Sequence, residues 1–296
     1  MNSLRCFFLL VLGATCLVRP GPRAMAESSP SGVSDTARLI CGATPDGTYD
    51  ARIRAVATLG KTLPAADFFA LQNFLEKTPA ADTVTPDQLN AIKNDVAAKL
   101  LACEYLPDGF SRRFLAMASA PGVGLVWQNY TIQFLDVLWV RENDTAMRRR
   151  IFDTLLHATG DTRLTIPGTA LLTLSRLPTE AGLTPGRLGD LAMRAIANDA
   201  IPWQDKITAL HVAADAGDAR ALARARAWAA DNARPVMLRM ASFAVLGKMG
   251  VPETDGALLE RHARSGEFRL RSAARAALKK LSQHPVSAYD ATAPKK

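Results

Sequence analysis

The sequence predicts an all-α protein, a right-handed α-solenoid in which about a dozen helices stack as antiparallel pairs. Three observations predict it. Apolar residues recur at spacings of three and four, whereas alternation of apolar and polar residues over strand length is absent. Prolines stand where helices should start, at Pro64, Pro185, Pro202, Pro235 and Pro252. Finally, one basic, alanine-rich segment is written three times: "RIRAVATLGKT" from Arg52, "LRMASFAVLGKMG" from Leu238 and "RLRSAARAALKKL" from Arg269. Aligning Lys206, Arg239 and Arg271 gives spacings of 33 and 32 residues. A helix pair of that length cannot bury its apolar stripe alone, so successive pairs must stack and share one core.

The chain begins with "MNSLRCFFLLVLGATCLV", in which Arg5 precedes an apolar run over residues 6–18. That run is too short for a bilayer span, which needs roughly 20 residues. With Ala24-Met25-Ala26 behind it, the segment reads as a secretory signal over residues 1–26, cleaved before Glu27. A lipoprotein signal ending at Cys16 ranks second, because Gly13 and Thr15 fit a lipobox poorly. A buried N-terminal helix is the remaining alternative, opposed by Pro20 and Pro22. Residues 27–34, "ESSPSGVS", read as a flexible linker, and residues 284–296 as a disordered tail. The expected location is therefore the periplasm or the exterior.

Between those ends, residues 35–140 read as degenerate helical repeats and 141–283 as the regular repeat region. The best-marked helix start is "TPDQLNAIKNDVAAKLLAC": Thr85 as N-cap, Pro86 at the first helical position and Gln88 to complete a capping box. Leu89, Ile92, Val96 and Leu100 then form one buried face. Further on, helices starting at Lys206 and Arg239 should end at Gly217 and Gly250. "DARALARARAWAAD" and "ETDGALLERHARS" supply the second helix after each, and Ala209, Ala241, Ala244, Ala274 and Ala277 allow close approach.

The segments "LRMASFAVLGKMG" and "FRLRSAARAALKKL" resemble HEAT-like repeats, in particular the short variety first associated with phycobilisome lyases. The shared pattern is Arg, two residues, Ala, then Ala-Leu and a terminal Gly. "WQNYTIQFL" at residues 127–135 is similar, with Gln128 at the basic position, as is "RRRIFDTLLHATG" at 148–160, with Thr154 in place of Ala. The resemblance is firmest over residues 203–281. It implies stacked helix pairs that serve as a binding surface; no lyase-specific residue accompanies it.

Chemistry is sparse. His157, His211, His262 and His284 show no H-x-x-x-H or H-E-x-x-H spacing, and His262 falls on an apolar stripe as a core histidine would. No G-x-S-x-G, C-x-x-C or G-x-x-x-x-G-K-[ST] motif occurs, and "PGVGLVW" from Pro121 lacks a third glycine. No cofactor, metal or catalytic residue is expected. If the signal is removed, Cys41 and Cys103 remain, and in an oxidising compartment they are a disulfide candidate. Two separate buried thiols are the alternative.

The remaining signal is charge. Residues 27–140 carry 9 basic and 12 acidic side chains, a net of −3, whereas residues 141–296 carry 24 and 16, a net of +8. An anionic partner should therefore meet the C-terminal half. The candidate binding face is Arg220, Arg224, Arg261 and Arg264 on the second helices, with Arg271, Arg275 and Lys279 on the last helix. The alternative is a solvated face with the polar cap that a terminal repeat needs. Trp127 and Tyr130 are the next place to look. The expected function is an exported, non-catalytic scaffold for a protein partner, with an acidic one suited to the basic C-terminal half. An anion-binding module (acidic polysaccharide, lipid head group or acidic protein) and an accessory subunit of a periplasmic enzyme are the alternatives. Nucleic acid is not expected, since aromatic residues are only 6% and export separates the chain from the genome.

Overall fold

The computed structural model describes residues 32–45, 47–76, 83–120 and 122–283. The signal, most of the linker, Pro121, His284 and the C-terminal tail lie outside the described residues. In chain order the helices are α1 (Asp35–Ile40), α2 (Tyr49–Thr58), α3 (Ala65–Glu76), α4 (Pro86–Ala102) and α5 (Phe110–Met117). Next come α6 (Leu125–Gln133), α7 (Leu135–Arg141), α8 (Thr145–Ala158), α9 (Ile166–Ser175) and α10 (Pro185–Ala197). The last are α11 (Trp203–Asp215), α12 (Ala219–Ala230), α13 (Val236–Met249), α14 (Pro252–Ala263) and α15 (Phe268–Leu281). A 3-10 turn at Thr179–Ala181 is the other regular element, and no strand occurs among the described residues. The excess over a dozen helices comes from short pieces such as α1 and from the break at Phe134, which separates α6 from α7.

The predicted starts are where the sequence places them. Thr85 accepts from Gln88 N and its own N–H donates to the Gln88 side chain, so the capping box closes on both sides. Pro185 and Pro252 open α10 and α14, and Pro202 and Pro235 stand at the caps of α11 and α13. Gly217 ends α11 at φ +74°, and the N–H of Asp218 returns to Ala213 O, a left-handed cap that glycine adopts without strain. The predicted stripe of α4 is buried, as are Leu270, Ala274, Ala277 and Leu281 of α15.

Two layers result. α2, α4, α6, α9, α11, α13 and α15 pack on one another in that order, and each has a partner just before it in the second layer: α1, α3, α5, α8, α10, α12 and α14. Thus α12 packs more broadly on α13 than on α11, whereas the sequence reading grouped it with α11. The helices of the first layer run parallel. Asp205 near the start of α11 accepts from Thr165 and Gly168 N at the start of α9, while Lys248 and Asp215 pair at the far ends of α13 and α11. Parallel α13 and α15 approach closely: a Cβ on Gly247 would lie 2.8 Å from Ala277 Cα. Ala209, Ala241, Ala274 and Ala277 are buried as predicted, but Ala244 is exposed, because Ser242, Phe243 and Val245 take the inward positions around it.

The cysteine reading needs correction. Cys41 and Cys103 are free thiols. Cys41 Sγ donates to Ala70 O of α3 at 3.7 Å, and Cys103 Sγ to Lys99 O of its own helix at 3.4 Å. Each thiol is held by a different backbone carbonyl. Burial pushes Cys41 up to about 11 and raises Cys103 as well, so both stay protonated and unreactive at neutral pH. Thiol titration of the denatured, unreduced full chain should count all four cysteines, and the melting temperature should not respond to reductant. A count two lower would restore the disulfide.

Candidate functional site

The basic residue that recurs in the repeat has a structural use. Lys206, Arg239 and Arg271 are each the fourth residue of their helix, and their side chains reach back to the chain before it or across to the neighbouring layer. Arg271 donates to Ser265 O at 2.8 Å, Arg239 lies 3.4 Å from His262 Nδ1, and Lys206 pairs with Asp199. The weaker copies behave alike: Arg52 donates to Ile40 O, Gln128 to Ala120 O and Arg148 to Glu142 O. These carbonyls end helices or line loops and lack intrahelical partners, so the motif completes the backbone's hydrogen bonding.

The predicted basic face divides accordingly. Arg220 is exposed but clasped, donating to Asp218 of its own cap and to Asp190 of α10 at 2.5 Å. These hydrogen bonds raise the Arg220 value and lower that of Asp218. Arg271 is held by its loop and lies over the Phe268 ring. Arg224 stacks 5.8 Å from the Trp228 ring. Arg261, Arg264, Arg275 and Lys279 are exposed, with no ion pair or side-chain hydrogen bond among the described residues. Glu260, also exposed, stands beside Arg261 on α14, so the outward face of that helix is mixed in sign. The seven residues do not make one uninterrupted stripe.

The reserve candidates fare differently. Trp127 is buried, its ring beside Lys93 Nζ and Tyr130, and so offers no surface. His262 stacks at 4.9 Å on Phe243, and burial lowers it, the first of several causes, so it is the core-type histidine that the stripe predicted. His211 is likewise lowered by burial. Among the described residues no group of three His, Cys, Asp or Glu side chains could hold a metal ion.

A surface that the charge pattern does not reveal lies along one edge of the first layer. Parallel packing aligns the N-terminal ends of α6, α9, α11, α13 and α15, and each end carries a large exposed apolar side chain. These are Leu125 and Val126, Leu164, Trp203, Met237 and Phe268, the last 71% exposed. Exposed apolar side chains repeated at successive helix ends of one layer are a candidate interaction surface. The signal was partly present in the repeat alignment: Trp203 and Phe268 share one register three residues before Lys206 and Arg271, but at that register α13 has half-buried Val236 and exposes Met237 one residue later. At a first helical position, a large apolar residue looks like core until the neighbouring helix end is in place.

No protein-family model matches the chain, and no curated protein matches it. Among solved structures, human deoxyhypusine hydroxylase in complex with glycerol is similar, with 14% identity and a TM-score of 0.36 over 84% of this chain and 95% of that one.

Proposed function

We infer that the protein is an exported, non-catalytic helical-repeat scaffold that holds an extended acidic polypeptide along the first-layer edge. The observation that carries this reading is the exposed apolar row from Leu125 to Phe268. Its partner chemistry follows from spacing and charge. Packed helices lie about 8–10 Å apart, and a chain in the polyproline II conformation turns once every three residues with about 3.1 Å of rise each, so roughly every third partner residue would meet the row. The net charge of +8 over residues 141–296 favours acidic residues between those contacts. Export rests on Arg5, the apolar run and the Ala24-Met25-Ala26 sequence. The exposed Arg261, Arg264, Arg275 and Lys279 favour a second reading, an anion-binding module at the C-terminal end, whose binding would collapse in high salt.

The test is site-specific photocrosslinking in cells that make the protein. A crosslinker placed in turn at Trp203, Met237 and Phe268 should capture the same polypeptide, and one at Ala227 on the second layer should not. Adducts from Ala227 alone would refute the edge.

A further inference from the structure

A separate surface lies in the second layer, between α8 and α10. A cavity of about 420 Å³ opens there, within the roughly 300–1,000 Å³ span of small-molecule sites. Leu191 and Ile201 are buried in its wall and Leu156 is half-buried, while Thr159, Gly160 and Asn198 line the rest, so one part of the wall is apolar and the other polar. Its exposed margin carries Arg187, Arg194 and His157. Arg187 and Arg194 are seven residues apart on α10, two helical turns, and so project from one face.

These cations differ from most others in the chain because nearby carboxylates are engaged elsewhere. Asp153 pairs with Arg149 at 3.0 Å, Asp161 with Arg163 at 2.6 Å, Asp190 with Arg220 at 2.5 Å, and Asp199 with Lys206 at 3.7 Å. Arg194 makes no ion pair or side-chain hydrogen bond among the described residues. Among the described residues the Arg187 guanidinium has the Phe152 ring alone, 5.7 Å away, which draws it toward α8. His157 shares part of its field with Asp161. Two guanidinium groups beside the apolar wall of Leu156, Leu191 and Ile201 suit a ligand with one charged end.

We propose that this cleft binds an amphiphilic anion. A carboxylate or phosphate head is held by Arg187 and Arg194 with His157 beside it, and an apolar chain lies against Leu156, Leu191 and Ile201. The planar guanidinium presents paired donors that match such oxyanions. The head needs the arginines; the chain needs the hollow.

Calorimetric titration of the full chain with octanoate, octyl phosphate and octan-1-ol tests both requirements. At least one of the anions should bind saturably at one site, and whichever does identifies the head; octan-1-ol should bind about tenfold more weakly or less. The R187Q/R194Q variant should lose about tenfold or more for the anion while melting as the wild type does, since both residues are exposed. Octan-1-ol binding as tightly as the anions, a double variant that binds like the wild type, or no saturable binding of either anion would each overturn the proposal.

Discussion

Asp205→Ala is expected to cost about 3 kcal/mol of folding stability, from two backbone donors left without acceptors at about 1–3 kcal/mol each. Asp205 belongs to α11, yet its carboxylate caps α9: Oδ2 accepts from Thr165 N and Oδ1 from Gly168 N, both at 3.0 Å. The start of α9 has no side-chain cap of its own: Thr165 sits at φ +73° and its hydroxyl makes no hydrogen bond to the helix N–H groups. Asp205 is buried, so water cannot replace it. For a chain of this size the melting temperature should fall by roughly 6–12 °C. Burial raises the Asp205 carboxyl above its ordinary value. The stability from this group is therefore full below the unfolded-chain value and declines as pH rises through the folded one. The deficit of the variant should accordingly be largest in acid. A deficit smaller than about 0.5 kcal/mol, the range of ordinary surface substitutions, would mean that α9 is held some other way.

The same contact shows what was legible in the sequence. Helix starts were readable because their causes are local: Thr85 and Gln88 are three residues apart, and prolines act where they stand. The buried faces of α4 and α15 were readable because helical period alone sets them. The clasps were not. Arg220 and Asp190 are 30 residues apart, Arg226 and Asp255 29, Lys248 and Asp215 33, Arg163 and Gln128 35. Each separation is about one repeat, so the partners meet only after stacking. Opposite charges one repeat apart are not enough to find them, since Asp231 stands at that spacing from both Arg261 and Arg264 yet pairs with Arg234. The cysteines were misread for a related reason, since their shared fate depended on directions that spacing does not carry. Ala244 faces solvent because α13 is buried nearly all round and small size alone does not select the inward side.

The second large effect concerns binding. Trp203→Ala, Met237→Ala and Phe268→Ala together remove three neighbouring apolar contacts from the first-layer edge. Truncating central aromatic contacts at an interface commonly costs about 2 kcal/mol or more per residue. The combined loss should therefore reach about a hundredfold or more in affinity. Stability should change little, as all three side chains are at least 36% exposed.

Fluorescence anisotropy with a labelled 18-residue peptide, leucine at every third position and glutamate and serine between, tests this most directly. The wild-type chain should bind it saturably and retain most of that affinity in high salt, because the contacts are mainly apolar. The triple variant should not bind it, and a peptide with lysine in place of glutamate should bind more weakly. Equal binding by the wild type and the triple variant would contradict the account and leave the edge a solvated margin of the stack.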